Sequence, residues 1–282
     1  MISVCTIVAG RAAHLANQAR GLAASGTPPG EWVVVGMNEY PDPPEAGVPA
    51  VTGRADAAGR LPLAEARSRS AELASGDVLV FLDVDCIPAP DMLGAFAATL
   101  AAADGLWMGD VRYLPKGAAA GEWTAADLEA AAVPHPLLPR LEGRPLPSDR
   151  YELFWSLCFA CTKATWDRIG GFDPSFGGYG GEDTDFAFSA REAGVPFGHC
   201  PARAYHQHHA VCQPPLNHLA SIVENARRFR GKWGAWPMEK WLRQFAEAGH
   251  VTFDPAADRL EVLREPTEAE VAACRTETPA GF

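Results

Sequence analysis

The chain has 282 residues and a mass of 30.1 kDa, with 48% hydrophobic and 21% charged residues. That is enough to bury a full α/β core, as one large domain or as a domain with an appendage. A net charge of −11 and a pI near 5.2 leave no basic footprint, which excludes a nucleic-acid binder and argues against broad attachment to anionic lipid.

Ile2 to Val8 reads as a strand, Gly10 opens a turn, and Leu15, Ala19, Leu22 and Ala23 recur at helical spacing until Gly26 and Pro28-Pro29-Gly30 stop the pattern. Trp32 to Val35 is a second strand, and residues 41–62, rich in Pro, Gly and Ala, read as loop. Leu63 to Ala74 is helical, Val78 to Leu82 is a buried strand, and Asp91 is placed to cap a helix whose face is Leu93, Phe96, Ala97 and Leu100. This alternation predicts an α/β fold, a mostly parallel sheet with helices on both faces. Leu106 to Tyr113 is a further strand. Residues 114–150 lack periodicity and read as a lid, a binding loop or a neutral insertion. Tyr151 to Thr162 returns to the core. Leu216, Leu219, Ile222, Val223, Ala226 and Phe229 form a helical stripe between Pro214-Pro215 and Gly231, and Met238 to Ala248 is a second helix. From Thr252 the polar tail is expected to drape over the surface. No internal repeat is present.

No apolar run reaches membrane-span length and the N-terminus lacks a leader pattern. A cytoplasmic protein is therefore expected, with no transmembrane segment and with peripheral membrane association left open. Seven scattered cysteines fit reduced thiols better than a disulfide framework.

Two acidic motifs carry the chemistry. Asp83-Val84-Asp85 follows directly on the Val78–Leu82 strand, at the strand end where open α/β sheets gather ligands. Two carboxylates there suit a hard divalent cation, which can in turn hold a diphosphate. About a hundred residues on, Gly177-Gly178-Tyr179-Gly180-Gly181-Glu182-Asp183-Thr184-Asp185 places glycines, which let backbone approach a ligand, before acids that open a helix at its positive end. Helix capping accounts for one or two of those acids, but not readily for three.

The segments SGDVLVFLDVDCIPAPD, IGGFDPSFGGYGGEDTDFAFSAREAG and RAYHQHH resemble the nucleotide-sugar glycosyltransferases of the GT-A fold. Within them, they resemble the inverting family 2 and its galactosyl- and N-acetylgalactosaminyl-transferring relatives, such as β-1,4-galactosyltransferases and chondroitin polymerase domains. The likeness runs in order over residues 2–235, and Gly-Tyr-Gly-Gly-Glu-Asp is its most specific part. It implies a GT-A domain over 1–235, with a nucleotide-binding half (1–113) and an acceptor and catalytic half (114–235), followed by a C-terminal helix and tail (236–282). It implies a UDP-sugar donor, a glycan or other hydroxyl acceptor, and Mn²⁺ or Mg²⁺ as cofactor. By resemblance Asp85 binds the metal and Asp83 the ribose or the metal's shell. Asp183 is the general base, Glu182 contacts a sugar, and His206 completes the metal set, with His208 as the substitute. Val8, Gly10, Arg11, Asn38, Arg67, Gly180 and Gly181 fall at the nucleotide-sugar pocket. There the chain departs from the family: Val8-Ala9-Gly10-Arg11 replaces a Pro-Thr-Tyr-Asn type segment, Met37-Asn38-Glu39 replaces Asp-Asp-Gly-Ser, and Cys158-Phe159-Ala160 replaces Gly-Gly-Asn.

The chemistry agrees with these assignments. A mixed Asp/His set suits Mn²⁺ better than Mg²⁺, and a positioned carboxylate is needed to take the acceptor's proton. Other readings stay open: a structural zinc site drawing on Cys158, Cys161, Cys200, Cys212 and the histidines, a non-catalytic sugar-nucleotide or glycan-binding protein, and a sugar-1-phosphate nucleotidyltransferase. Arg227, Arg228, Arg230 and Lys232 read as helix capping or as a phosphate grip. The tryptophans read as core, with sugar stacking as the alternative.

Overall fold

A computed structural model describes residues 1–277. The first half alternates as the periodicities dictate: β1 (Ile2–Val8), α1 (Ala12–Ala23), β2 (Glu31–Met37), β3 (Ala50–Ala55), α2 (Leu63–Leu73), β4 (Val78–Leu82), β5 (Cys86–Pro88), α3 (Met92–Ala102) and β6 (Leu106–Tyr113). The irregular middle contains α4 (Ala125–Ala131) and two short strands, β7 (Val133–Pro134) and β8 (Leu146–Ser148). Then come β9 (Cys158–Thr162), α5 (Lys163–Ile169), α6 (Glu182–Glu192), β10 (Phe197–His206) and β11 (Val211–Cys212). The C-terminal part holds α7 (Leu219–Trp233), α8 (Glu239–Glu247), β12 (Val251–Asp254), β13 (Arg259–Val262), α9 (Glu268–Ala273) and β14 (Arg275–Thr276).

One large sheet organises the chain, in the order β3-β2-β1-β4-β9-β6-β10-β5. On that path only β9 and β5 run against the other strands. Side chains alternate between faces along each central strand, as a pleated strand buried on both sides requires. Leu79 and Phe81 of β4 join α2, α5 and α6 in one core, while Val80 and Leu82 join α1 and α3 in the other. Helices therefore cover both faces. Cys158 and Cys161 fall into opposite cores and cannot share a metal.

Four expectations need correction. β3 lies inside the segment read as loop, and it carries no apolar run because it is the exposed edge of the sheet. Asp91 stands at the start of α3, but its side chain accepts no capping hydrogen bond. Gly231 lies within α7, which ends at Gly234 in the left-handed conformation. The polar tail is built rather than draped: β12 and β13 form a hairpin, α9 follows, and β14 pairs with β11. Val251 and Leu260 of that hairpin share a core with Leu216, Ile222, Val223, Leu242 and Phe245, so residues on both sides of position 235 pack together. The last five residues of the expected tail lie outside the described ones.

Candidate active site

The Asp83–Asp85 turn is fixed from beneath by a buried glutamine. Gln18 of α1 donates to the carbonyls of Asp83 (2.8 Å) and Cys86 (3.0 Å) and accepts from the Thr6 hydroxyl (2.8 Å). The turn closes with the Cys86 N–H on the Asp83 carbonyl at 2.8 Å, and the Asp83 N–H reaches Leu157 at 2.9 Å. The two carboxylates then diverge to different partners. Asp83 faces α2 and Asp85 faces the end of β10.

Asp85 meets two imidazoles. Its oxygens lie 3.6 Å from His206 Nε2 and 3.4 Å from His209 Nε2. Asp85, His206 and His209 each offer a ligand atom, all within 4.8 Å of one another, and this is the one such group among the described residues. Burial pulls the His206 pKa down, opposed by Asp85, which favours the neutral ring a metal needs. Burial alone would raise Asp85, but His206, a hydrogen bond from His209, and Arg11 outweigh it and hold the carboxyl well below the usual range. One ionised carboxylate with a neutral imidazole beside it is a donor set that fits Mn²⁺. The Arg11 guanidinium also lies on Asp85, so positive charge is already drawn to this carboxylate.

His208 does not take the substitute place. Its ring nitrogen bonds the carbonyl of Glu277. A strand's two-residue period would have put His208 beside His206, but β10 ends at His206 and the chain bends, which brings round the residue three along. Cys158, Cys161 and Cys200 are buried in the sheet cores and belong to no metal group with the histidines.

The glycine loop forms the opposite wall. Gly178, Gly180 and Gly181 have φ of 76°, 96° and 87°, a region that side chains rarely adopt. A Cβ at Gly178 would stand 2.6 Å from that of Ser221, and one at Gly180 would stand 2.9 Å from Met238 Sδ. Buried Asn225 of α7 donates to the carbonyls of Gly177 (3.1 Å) and Gly180 (2.8 Å). Tyr179 stacks on His218 at 4.5 Å and on Trp241 at 6.0 Å between ring centres.

α6 then starts at Glu182, and its acids divide. Asp185 is structural, held by Lys232 (2.8 Å) and by the Trp233 indole N–H (2.7 Å). Glu182 is buried. Asp183 is half open, with the Thr184 N–H on its Oδ1 at 2.7 Å. Burial pushes the Glu182 carboxyl up to about 7, aided by the Asp183 charge and opposed by Arg67. Burial also raises Asp183, again opposed by Arg67. Asp183 is thus partly open to solvent, beside the buried Glu182.

Arg67 joins the two motifs. Its Nη2 lies 3.1 Å from both Asp83 oxygens, its Nη1 lies 3.5 Å from Glu182 Oε1, and its side chain is 5% exposed. Burial pushes Asp83 up to about 6 against the pull of Arg67. Burial raises the Tyr179 hydroxyl and the charges of Glu182, Asp183, Asp83 and Asp85 add to it, in keeping with the Arg67 contacts that put both acidic motifs beside one region.

The expected uracil side is differently used. Val8 is buried in a sheet core. Gly10, at φ 58°, donates its N–H to Glu39 at 2.6 Å. Asn38 accepts from the Ala57 N–H (2.8 Å) and donates to the Arg60 carbonyl (2.7 Å), so its amide shapes the 57–60 loop. The basic residues of α7 are likewise engaged: Arg227 with the Leu260 carbonyl, Arg228 with Ser175, Arg230 with Asp258 and Lys232 with Asp173 and Asp185. Cavities of about 180 and 460 Å³ open around Pro90 and Tyr205, and neither contains any of the site acids. Charge and ligand chemistry, not volume, locate the site.

In the sequence His209 counts only among the clustered histidines and not as a partner of Asp85, and Gln18 and Asn225 do not stand out. The three-residue spacing of His206 and His209 was the available signal for the first, while the buried amides carry none.

Residues 145–210, which include the glycine loop, Glu182, Asp183 and both histidines, match a family described as the N-terminal domain of galactosyltransferase. No curated protein gives a significant sequence match. Among solved structures, residues 1–349 of S. aureus TarS are 12% identical with a TM-score of 0.54, over 81% of this chain and 65% of that one. TarS is also known in complex with UDP-GlcNAc, at the same identity and TM-score. GalNAc-T7, solved with UDP, GalNAc and Mn²⁺, is 16% identical with a TM-score of 0.54, over 88% of this chain and 56% of that one. The chain spans about two thirds or less of the length of these structures. At such identities the likeness is one of fold.

Proposed function

We propose that this chain, which has the GT-A fold of nucleotide-sugar glycosyltransferases, is a metal-dependent inverting enzyme. In this reading it moves a hexose or N-acetylhexosamine from a UDP-sugar to a hydroxyl acceptor, a glycan or glycolipid. The observation that carries the reading is the Asp85–His206–His209 group facing the same region as Glu182 and Asp183, with Arg67 between the motifs.

Asp85, His206 and His209 would hold Mn²⁺. When bound, such a cation offsets the charge that develops on a departing diphosphate. The protein's own groups do the rest. Asp183 accepts the acceptor hydroxyl's proton at a carboxylate oxygen, and its raised proton affinity makes it a stronger base than an exposed aspartate. A base on the acceptor side favours direct displacement, hence inversion. Glu182, near neutral in its titration, can donate a hydrogen bond to a sugar oxygen. Arg67 lies between Asp83 and Glu182 and offsets part of the negative charge of both motifs. Arg11 has the charge and planar fork that suit a phosphate oxygen.

The test is UDP release from a panel of UDP- and GDP-sugars, with Mn²⁺ or EDTA. The expected result is release from UDP-sugars that needs Mn²⁺ and is lost in Asp85→Asn. Release that persists in EDTA would overturn the metal assignment, and binding without release would favour a sugar-nucleotide-binding protein instead.

A further inference from the structure

Between the two histidines lies Gln207, which is 4% exposed although it is polar and sits at the end of an edge-proximal strand. Its orientation follows from a chain of hydrogen bonds that permits one solution. The Trp123 indole N–H can only donate, and it lies 3.0 Å from Asn17 Oδ1. Asn17 must therefore present its NH₂ to Gln207 Oε1 (2.8 Å) and to the Ala119 carbonyl (2.9 Å). That fixes Gln207 in turn, whose NH₂ donates to the His14 carbonyl at 3.1 Å. The Gln207 backbone N–H donates to the carbonyl of Asp85 itself at 2.6 Å. Every polar group of the Gln207 side chain is satisfied, and the whole network is anchored on α1 and on the loop before α4.

We infer that Gln207 is a positioning residue for the metal site: its inward anchorage bends the chain after β10 so that His206 and His209, rather than His208, converge on Asp85. This rests on the metal reading above. Regular alternation cannot place residues 206 and 209 on one face, so something must break it, and Gln207 is the one buried side chain in the break. Partners behind metal ligands set affinity by orienting them, and their loss costs about 10–100-fold.

The measurement is the Mn²⁺ dissociation constant, from the electron paramagnetic resonance signal of free Mn²⁺, with no sugar nucleotide present. Gln207→Met keeps the volume and removes the side-chain hydrogen bonds, and it should weaken Mn²⁺ by about 10–100-fold. His209→Ala should weaken it similarly, and the double variant should lose little more than either alone, because Gln207 acts through His209. Losses that multiply in the double variant, or Mn²⁺ binding by Gln207→Met equal to the parent, would overturn the inference. Asn17→Ser, at a half-buried position, should shift affinity the same way by a smaller factor, and it decides the matter if Gln207→Met does not fold. Failure of the underlying metal reading looks different: Asp85→Asn would then bind Mn²⁺ as the parent does.

Discussion

The two walls of the site are built by different means. The Asp83–Asp85 turn hangs from the sheet: β4 delivers it, buried Gln18 grips three of its neighbouring atoms, and the surrounding strands are fully enclosed. The Gly177–Asp183 loop has no strand beneath it. It is held by Asn225 and Ser221 of α7, by Met238 just before α8 and by Trp241 within it. Metal-side geometry is therefore inherited from the main core, and the loop's geometry from the smaller C-terminal one. A change in the second core should disturb the loop while leaving Asp85 and its histidines in place.

The sharpest cut between the walls is Asp183→Asn. It keeps shape and hydrogen bonding but removes the base, so transfer should fall by roughly 10²–10⁴-fold while Mn²⁺ and UDP affinities stay near the parent's. Steady-state rates alongside UDP titration check this. Near-normal transfer would remove Asp183 from its role.

Asn225→Ala tests whether α7 holds the loop. It leaves the carbonyls of Gly177 and Gly180 without their donor, at a cost of about 1–3 kcal/mol in stability. The acceptor's KM should rise, with Mn²⁺ affinity unchanged. An equal loss at the metal would show that the walls are not independent.

Glu182→Gln should give an effect confined to high pH, with the most diagnostic sign. Folding raises the Glu182 pKa from 4.5 to about 7, so the native state binds this proton more tightly than the unfolded chain does. The stability tied to it is complete below about pH 4.5 and is lost as pH rises towards 7. The neutral glutamine should thus be more stable than the parent by on the order of 1–3 kcal/mol near pH 8, and no different near pH 4. Denaturant melts at both pH values measure it. A loss of stability at pH 8 would mean that Arg67 needs the charge more than burial disfavours it.

What the sequence disclosed divides along the same line. Strong apolar runs exposed β1, β2, β4 and the helices over them, and position after a strand marked Asp83 and Asp85. The Gly-Gly-Glu-Asp run marked the start of α6 to the residue. β3 escaped because its alternation is between exposed and half-buried positions, and Gly53 is there to admit Leu73, whose Cδ1 would lie 2.5 Å from a Cβ. The tail escaped because its hairpin buries only Val251 and Leu260 deeply. Yet Thr267-Glu268-Ala269-Glu270 did carry the signature of a capping box, and that box is formed. His209 was hidden by the bend at Gln207, which depends on partners 190 positions away in the chain.

Arg67 balances acids from both walls with a single positive charge. Any ligand that alters the demand of Asp83 on that guanidinium changes how much of its field remains for Glu182 and Asp183. By thermodynamic reciprocity, protonation on the acceptor side then feeds back on whatever is held on the nucleotide side. On the proposed roles, the proton affinity of Asp183 should therefore shift when a ligand occupies the far wall.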